Sequence, residues 1–98
     1  MDKYSINFKN TQYILELYQN LYNALELDID FVPGNNTDAL FDILTGFIDG
    51  PAHFDFYNVK TMPDNLQTFF YDDIIRIFKR AEAWYFKFNE EFSYTIVD

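Results

Sequence analysis

Asp38 and Asp42 stand four residues apart, the spacing that brings two side chains together on one side of a helix. A carboxylate pair can do acid/base work when a cleft keeps one member protonated. On a solvated face both stay ionised. The chemistry then open to them is attraction of cations, above all the Lys and Arg side chains of a basic partner. Phe41 and Thr45 fall on the same side, and Asp49 follows one turn further on.

Other routes to catalysis lack parts. The sole histidine is His53, and the chain has no Cys. A Ser-His-Asp or Cys-His arrangement needs a histidine base, and a lone His at a strand start is more often structural. There is no phosphate-binding glycine loop of either common pattern. Glu26, Asp28 and Asp30 alternate as at the start of a calcium loop. Phe31 then stands where that loop needs Gly, and Thr37 where it needs Glu. The chain is read as a non-enzyme, with no catalytic residue, no cofactor and no metal site.

The carboxylates need an element to hold them. Pro33-Gly34 and Gly50-Pro51 are breakers that bracket one short helix, at about residues 36–49. Asn36 or Thr37 can cap its start, because a short side-chain oxygen accepts a hydrogen bond from a first-turn amide. Asp38 sits in the first turn, where the helix dipole favours a negative charge. At ~100° per residue, Leu40, Ile43, Leu44, Phe47 and Ile48 form the core stripe. Asp38, Phe41, Asp42, Thr45 and Asp49 form the opposite side. Phe41 is then either a half-covered surface aromatic or part of a binding face. Gly46, inside the helix, costs ~1 kcal/mol relative to Ala. It marks either tight packing within the protein or a close approach by a partner's backbone.

The whole chain agrees with an acidic, cation-attracting face. The 98 residues suit a single domain, 1–98, and twelve Phe and eight Tyr supply a core. Net charge is −9. No Lys or Arg occurs between Lys9 and Lys60, while Glu16, Glu26, Asp28, Asp30, Asp38, Asp42, Asp49 and Asp55 all do. Phosphate neutralisation needs Lys and Arg, so direct nucleic-acid binding is not expected. An anionic membrane would repel the chain, and no apolar run reaches the ~20 residues of a span. The first residues lack the apolar stretch of a signal peptide. The expected location is the cytoplasm. The plainer reading of the charge is solubility.

Tyr4 to Phe8, His53 to Val59 and Phe92 to Val97 alternate as strands with one buried face. Residues 12–27 form an amphipathic helix through Ile14, Leu17, Tyr18, Leu21 and Leu25, with Asn10 and Thr11 as caps. Thr61 to Asp64 is a turn leading into a long helix, 64–87. Its apolar face is Leu66, Phe69, Phe70, Ile74, Ile77, Phe78 and Ala81. Strands separated by helices favour parallel pairing. Alternation within each strand argues against helices on both sides. The expected fold is α/β in two layers: a three-stranded parallel sheet with helices packed on one face.

Thr37 to Ile48, followed by Gly50-Pro51, resembles the signature helix of the barstar family, intracellular inhibitors of barnase-type secreted microbial ribonucleases. A weaker likeness runs along the chain through the first strand, the acidic loop with Gly34, and Phe78 to Ala83. The family's fold is similar to the two-layer reading. The resemblance implies that the acidic helix plugs a ribonuclease active site. Asp42 would enter the catalytic centre, with Asp38 one turn earlier. Thr45 and Gly46 would be contacts on the same edge, and Asn36 and Thr37 contacts at the helix start. Phe41 would be a flat anchor, where the family often has Trp. The chain departs from the pattern at Val32 and Pro33, where tyrosines are familiar, and at Arg80, which replaces an interface glutamate in the alignment through Phe78. The implied partner is a small basic ribonuclease or a related toxin, met by a protein that is a monomer when free. The alternative is an acidic interaction or regulatory module with no nuclease target.

Overall fold

Each alternating stretch forms a strand, and the alternation decides which side meets the helices. The computed structural model describes residues 2–27 and 33–98. Asp28, Asp30, Phe31 and Val32, and with them the calcium-like spacing, lie outside the described residues. The elements are β1 (Asp2–Asn7), α1 (Ile14–Leu25), α2 (Thr37–Gly46), β2 (Ala52–Tyr57), a 3-10 turn (Val59–Thr61), α3 (Asp64–Phe69), a π-helical turn (Phe70–Ile74), α4 (Ile75–Phe86) and β3 (Phe92–Ile96). β2 lies between β1 and β3 and pairs in parallel with both. Ile6 opposes Phe56 on one side, and Ala52 opposes Phe92 on the other.

Ile6, Ala52, Phe54, Phe56 and Phe92 are buried beneath the helices. Lys3, Ser5, Asp55 and Thr95, one residue out of phase, face away from that core. The fold is the expected two-layer α/β arrangement. A layer of aromatic rings joins sheet to helices. Phe78 of α4 meets Phe54 and Phe56 edge-on, at centroid distances of 5.0 and 5.1 Å. Phe70 meets Phe56 and Phe8 the same way, at 5.0 and 5.4 Å. Edge-to-face contact places the positive ring edge on the negative face of its neighbour, which adds about 0.5–1.5 kcal/mol per pair beyond burial.

Several details differ from the sequence reading, and one is that α2 ends at Gly46, short of residue 49. β2 stops at Tyr57, because Asn58 takes a left-handed conformation (φ 62°) that a strand cannot continue, and Val59 opens a 3-10 turn. α1 starts at Ile14, too late for Asn10 or Thr11 to cap it. Thr11 is buried instead, and its hydroxyl accepts a hydrogen bond from Asn20 (2.8 Å). Ile14 and Phe47 are exposed rather than core; Ile14 is the first residue of its helix and Phe47 the residue just past the end of α2, both beyond full cover.

The long C-terminal helix is interrupted by the π turn at Phe70–Ile74. A π turn fits an extra residue into the helix and shifts the faces that follow. Ile74 and Ile75 both point inward as a result, and Tyr85 joins the buried stripe through Phe78 and Ala81.

Candidate protein-binding face

α2 is held at both ends by tyrosine hydroxyls from other helices. At its start, Asn36 has extended backbone (φ −150°, ψ 166°), and its Oδ1 accepts a hydrogen bond from the Ala39 amide at 2.8 Å. Of the two possible caps, Asn36 is therefore the one used. Just before it, Tyr22 of α1 donates its hydroxyl proton to the Gly34 carbonyl at 2.7 Å. At the far end, Tyr85 of α4 donates to the carbonyls of Leu44 (2.6 Å) and Ile48 (3.1 Å). These carbonyls lie at and just past the helix end, where the intrahelical ladder runs out of donors. Gly50 passes against the Tyr85 ring and leaves no room for a Cβ, which would stand 2.8 Å from Cε1. Leu40, Ile43 and Leu44 are buried between these anchors.

Burial pushes the Tyr85 hydroxyl up to about 12, helped by Glu90 and Asp49; burial, then Tyr18, does the same for Tyr22. Both are protonated donors at ordinary pH. Their folded values lie above the ordinary 10.0 of an unfolded tyrosine. The stability they contribute is complete below that value and is lost as pH climbs towards about 12. Urea midpoints should therefore hold up to about pH 10 and fall between about 10 and 12. Tyr85→Phe should flatten part of that fall.

The outward side of α2 carries Asp38 and Asp42, with Asp49 just beyond, and all three are exposed. The ion pairs among the described residues are His53–Asp55, Lys60–Asp98 and Arg76–Asp73, so none of these three carboxylates is neutralised by a neighbour. Thr45 is half-buried, and its hydroxyl donates to the Phe41 carbonyl at 2.8 Å. The oxygen keeps lone pairs for an incoming donor. Thr37 is the first residue of the helix. Gly46 is its last, exposed, and a Cβ built on it meets nothing within 4 Å. Tight packing within the protein is therefore not the reason for this glycine.

Phe41 is half-covered, as one of the two readings of its position has it. It is half-buried against the core, and the Arg80 guanidinium lies over its face, 4.5 Å from the centroid. Periodicity placed Phe41 on the outer side of its own helix; what covers it comes from α4. Sequence reasoning also passed over Trp84, Phe88 and Glu90. With Gly46 and Asp49 they line an open cleft of about 320 Å³ at the C-terminal end of α2. Continuing the stripe Phe78, Ala81, Tyr85 would have found the anchor, though not the cleft.

His53 lies on the open face of the sheet. Its Nδ1 is 2.6 Å from Ser93 Oγ and its Nε2 is 2.9 Å from Asp55 Oδ1. These are the residue types of a hydrolytic triad, here joined by one hydrogen bond within β2 and one across to β3. The cluster ties β2 to β3. Among the described residues no three His, Asp or Glu side chains converge to hold a metal ion, and no helix is long and apolar enough to cross a membrane.

A three-stranded parallel sheet backed by helices, with a short helix displaying unpaired carboxylates, defines a barstar-like α/β protein. The family model described as Barstar (barnase inhibitor) matches residues 1–97, and the chain belongs to that family. The description is that of an inhibitor and not of an enzyme. No curated protein matches the chain.

Proposed function

We propose that this protein is a ribonuclease inhibitor, or immunity protein, that blocks the basic active site of a barnase-type nuclease with α2. It works as a single domain, a monomer when free in the cytoplasm. The observation that carries this is the solvated pair Asp38 and Asp42, in no ion pair among the described residues, on a helix fixed at both ends, with Asp49 just past its end. Family membership supports the choice of target. A ribonuclease active site is built to hold a phosphate chain, so its Lys, Arg and His groups attract carboxylates as well. Asp42 takes the centre of that cluster, Asp38 its edge. Asn36, Thr37, Thr45 and Gly46 contact the rim. Little ordering entropy is lost on binding, because the two tyrosine anchors already hold the helix.

Co-expression tests the proposal. Cells making a barnase-type ribonuclease from the same organism should grow when this protein is made with it. Growth arrest despite accumulation of folded protein would reject the reading.

Gly46 supplies a sharper check. Gly46→Ala adds a methyl group that meets nothing in the free protein, and Ala favours a helix by up to about 1 kcal/mol. Stability in urea should be unchanged or higher. Binding to the ribonuclease should weaken about tenfold if a partner's backbone comes close at this point, a cost of about 1.4 kcal/mol.

A further inference from the structure

Arg80 puts a positive charge in the middle of the acidic face. Its guanidinium lies over the Phe41 ring at 4.5 Å, and Phe41 immediately precedes Asp42. None of the three ion pairs among the described residues involves Arg80. A guanidinium held over a ring still carries N–H donors in the fork geometry that matches a carboxylate. The stack also fixes a side chain that would otherwise lose much rotamer freedom on binding.

The charge is not isolated. Arg76, Lys79 and Arg80 line an open cleft of about 410 Å³ on α4, floored by Tyr71, Ile75 and Ala83. Arg76 is partly engaged by Asp73 at 3.5 Å, and Lys79 takes part in none of the ion pairs. A basic strip on α4 therefore runs beside the acidic row on α2, with the Phe41–Arg80 stack where they meet. A partner that offered only positive charge would be attracted by α2 and repelled at Arg80.

We propose that Arg80 is a specificity-determining residue: it selects a nuclease that sets an acidic side chain against the Phe41–Arg80 pair while its basic cleft receives Asp42. This rests on the inhibitor reading above. The bound carboxylate would meet Arg80 edge-on, with Lys79 beside it, and the Phe41 ring would back the guanidinium from below.

The test is a set of dissociation constants against one probe, the barnase-type ribonuclease of the growth experiment made inactive by substitution. Arg80→Glu should weaken binding at least tenfold, and Arg80→Lys less. Reversing one acidic residue of the ribonuclease to Lys should restore the affinity of Arg80→Glu. The thermal midpoint of Arg80→Lys should match the parent. Unchanged or tighter binding by Arg80→Glu, with weaker binding by Asp42→Ala, would overturn the role of Arg80 and leave the inhibitor reading standing. Weaker binding by Arg80→Glu with no effect of Asp42→Ala would keep docking at Arg80 and reject occlusion by α2. Equal losses for Lys and Glu, together with lower thermal midpoints, would make the stack merely structural and overturn the proposal.

Discussion

Asp42→Lys is expected to abolish inhibition of the target ribonuclease while leaving the protein as stable as before. Asp42 is exposed and belongs to none of the ion pairs among the described residues, so removing it breaks no ion pair in the free protein. Asp38, one turn earlier, repels it at i, i+4, and a lysine there would be attracted instead, a change of a few tenths of a kcal/mol. Surface changes of this kind stay within about 0.5 kcal/mol, about 2–4 °C in a domain of this size. The bound state is different. A carboxylate buried against a cationic site, once removed, leaves uncompensated charge at a cost of about 3–5 kcal/mol, a factor of a hundred or more in affinity. A lysine adds repulsion to that loss. Thermal denaturation and RNA cleavage on the same preparation measure the two halves. Salt should act in the same direction on the parent protein, because exposed charges more than ~10 Å apart are screened at about 0.1 M salt.

Phe78→Ala is the opposite case, a large loss of stability with the binding face untouched. Phe78 is buried between sheet and α4 and touches Phe54, Phe56, Phe92 and Tyr94. Truncating a buried Phe removes its transfer free energy and leaves a cavity that neighbouring rings fill poorly, about 3–5 kcal/mol together. Domains of this kind are stable by about 5–15 kcal/mol. The denaturant midpoint should fall steeply, and a sizeable unfolded fraction should appear on mild warming. The folded fraction should still bind the ribonuclease with the parent's affinity, because Asp38, Asp42 and Thr45 lie on the outward side of α2 while Phe78 is buried in the core. If affinity per folded molecule also collapsed, scaffold and face would not be separable.

The sequence was legible wherever a periodic pattern met a one-sided surface. Phe54 and Phe56 flank Asp55, and that alternation set both the strand and its buried side. Leu40, Ile43 and Leu44 marked the inner stripe of α2, and Asn36 its cap, for reasons local to those residues. Legibility ended where distant segments meet. Nothing near Phe41 announces that Arg80 lies over it. Nothing near Leu44 announces the Tyr85 hydroxyl. The π turn was hidden for a related reason: Phe70, Ile74 and Ile77 fit a 3.6-residue stripe well enough to mask one extra residue, and no Gly or Pro marks the place. Open space around Gly46, which excludes tight packing within the protein, is equally invisible from its neighbours in the chain.

The most direct test of the central claim is a titration. A fixed amount of a barnase-type ribonuclease from the same organism is mixed with rising amounts of this protein at low salt, and RNA cleavage is followed. Activity should fall linearly and vanish at an equimolar amount, with Asp42→Lys inert over the same range. Full cleavage in the presence of excess folded protein would contradict the claim that α2 is an active-site plug.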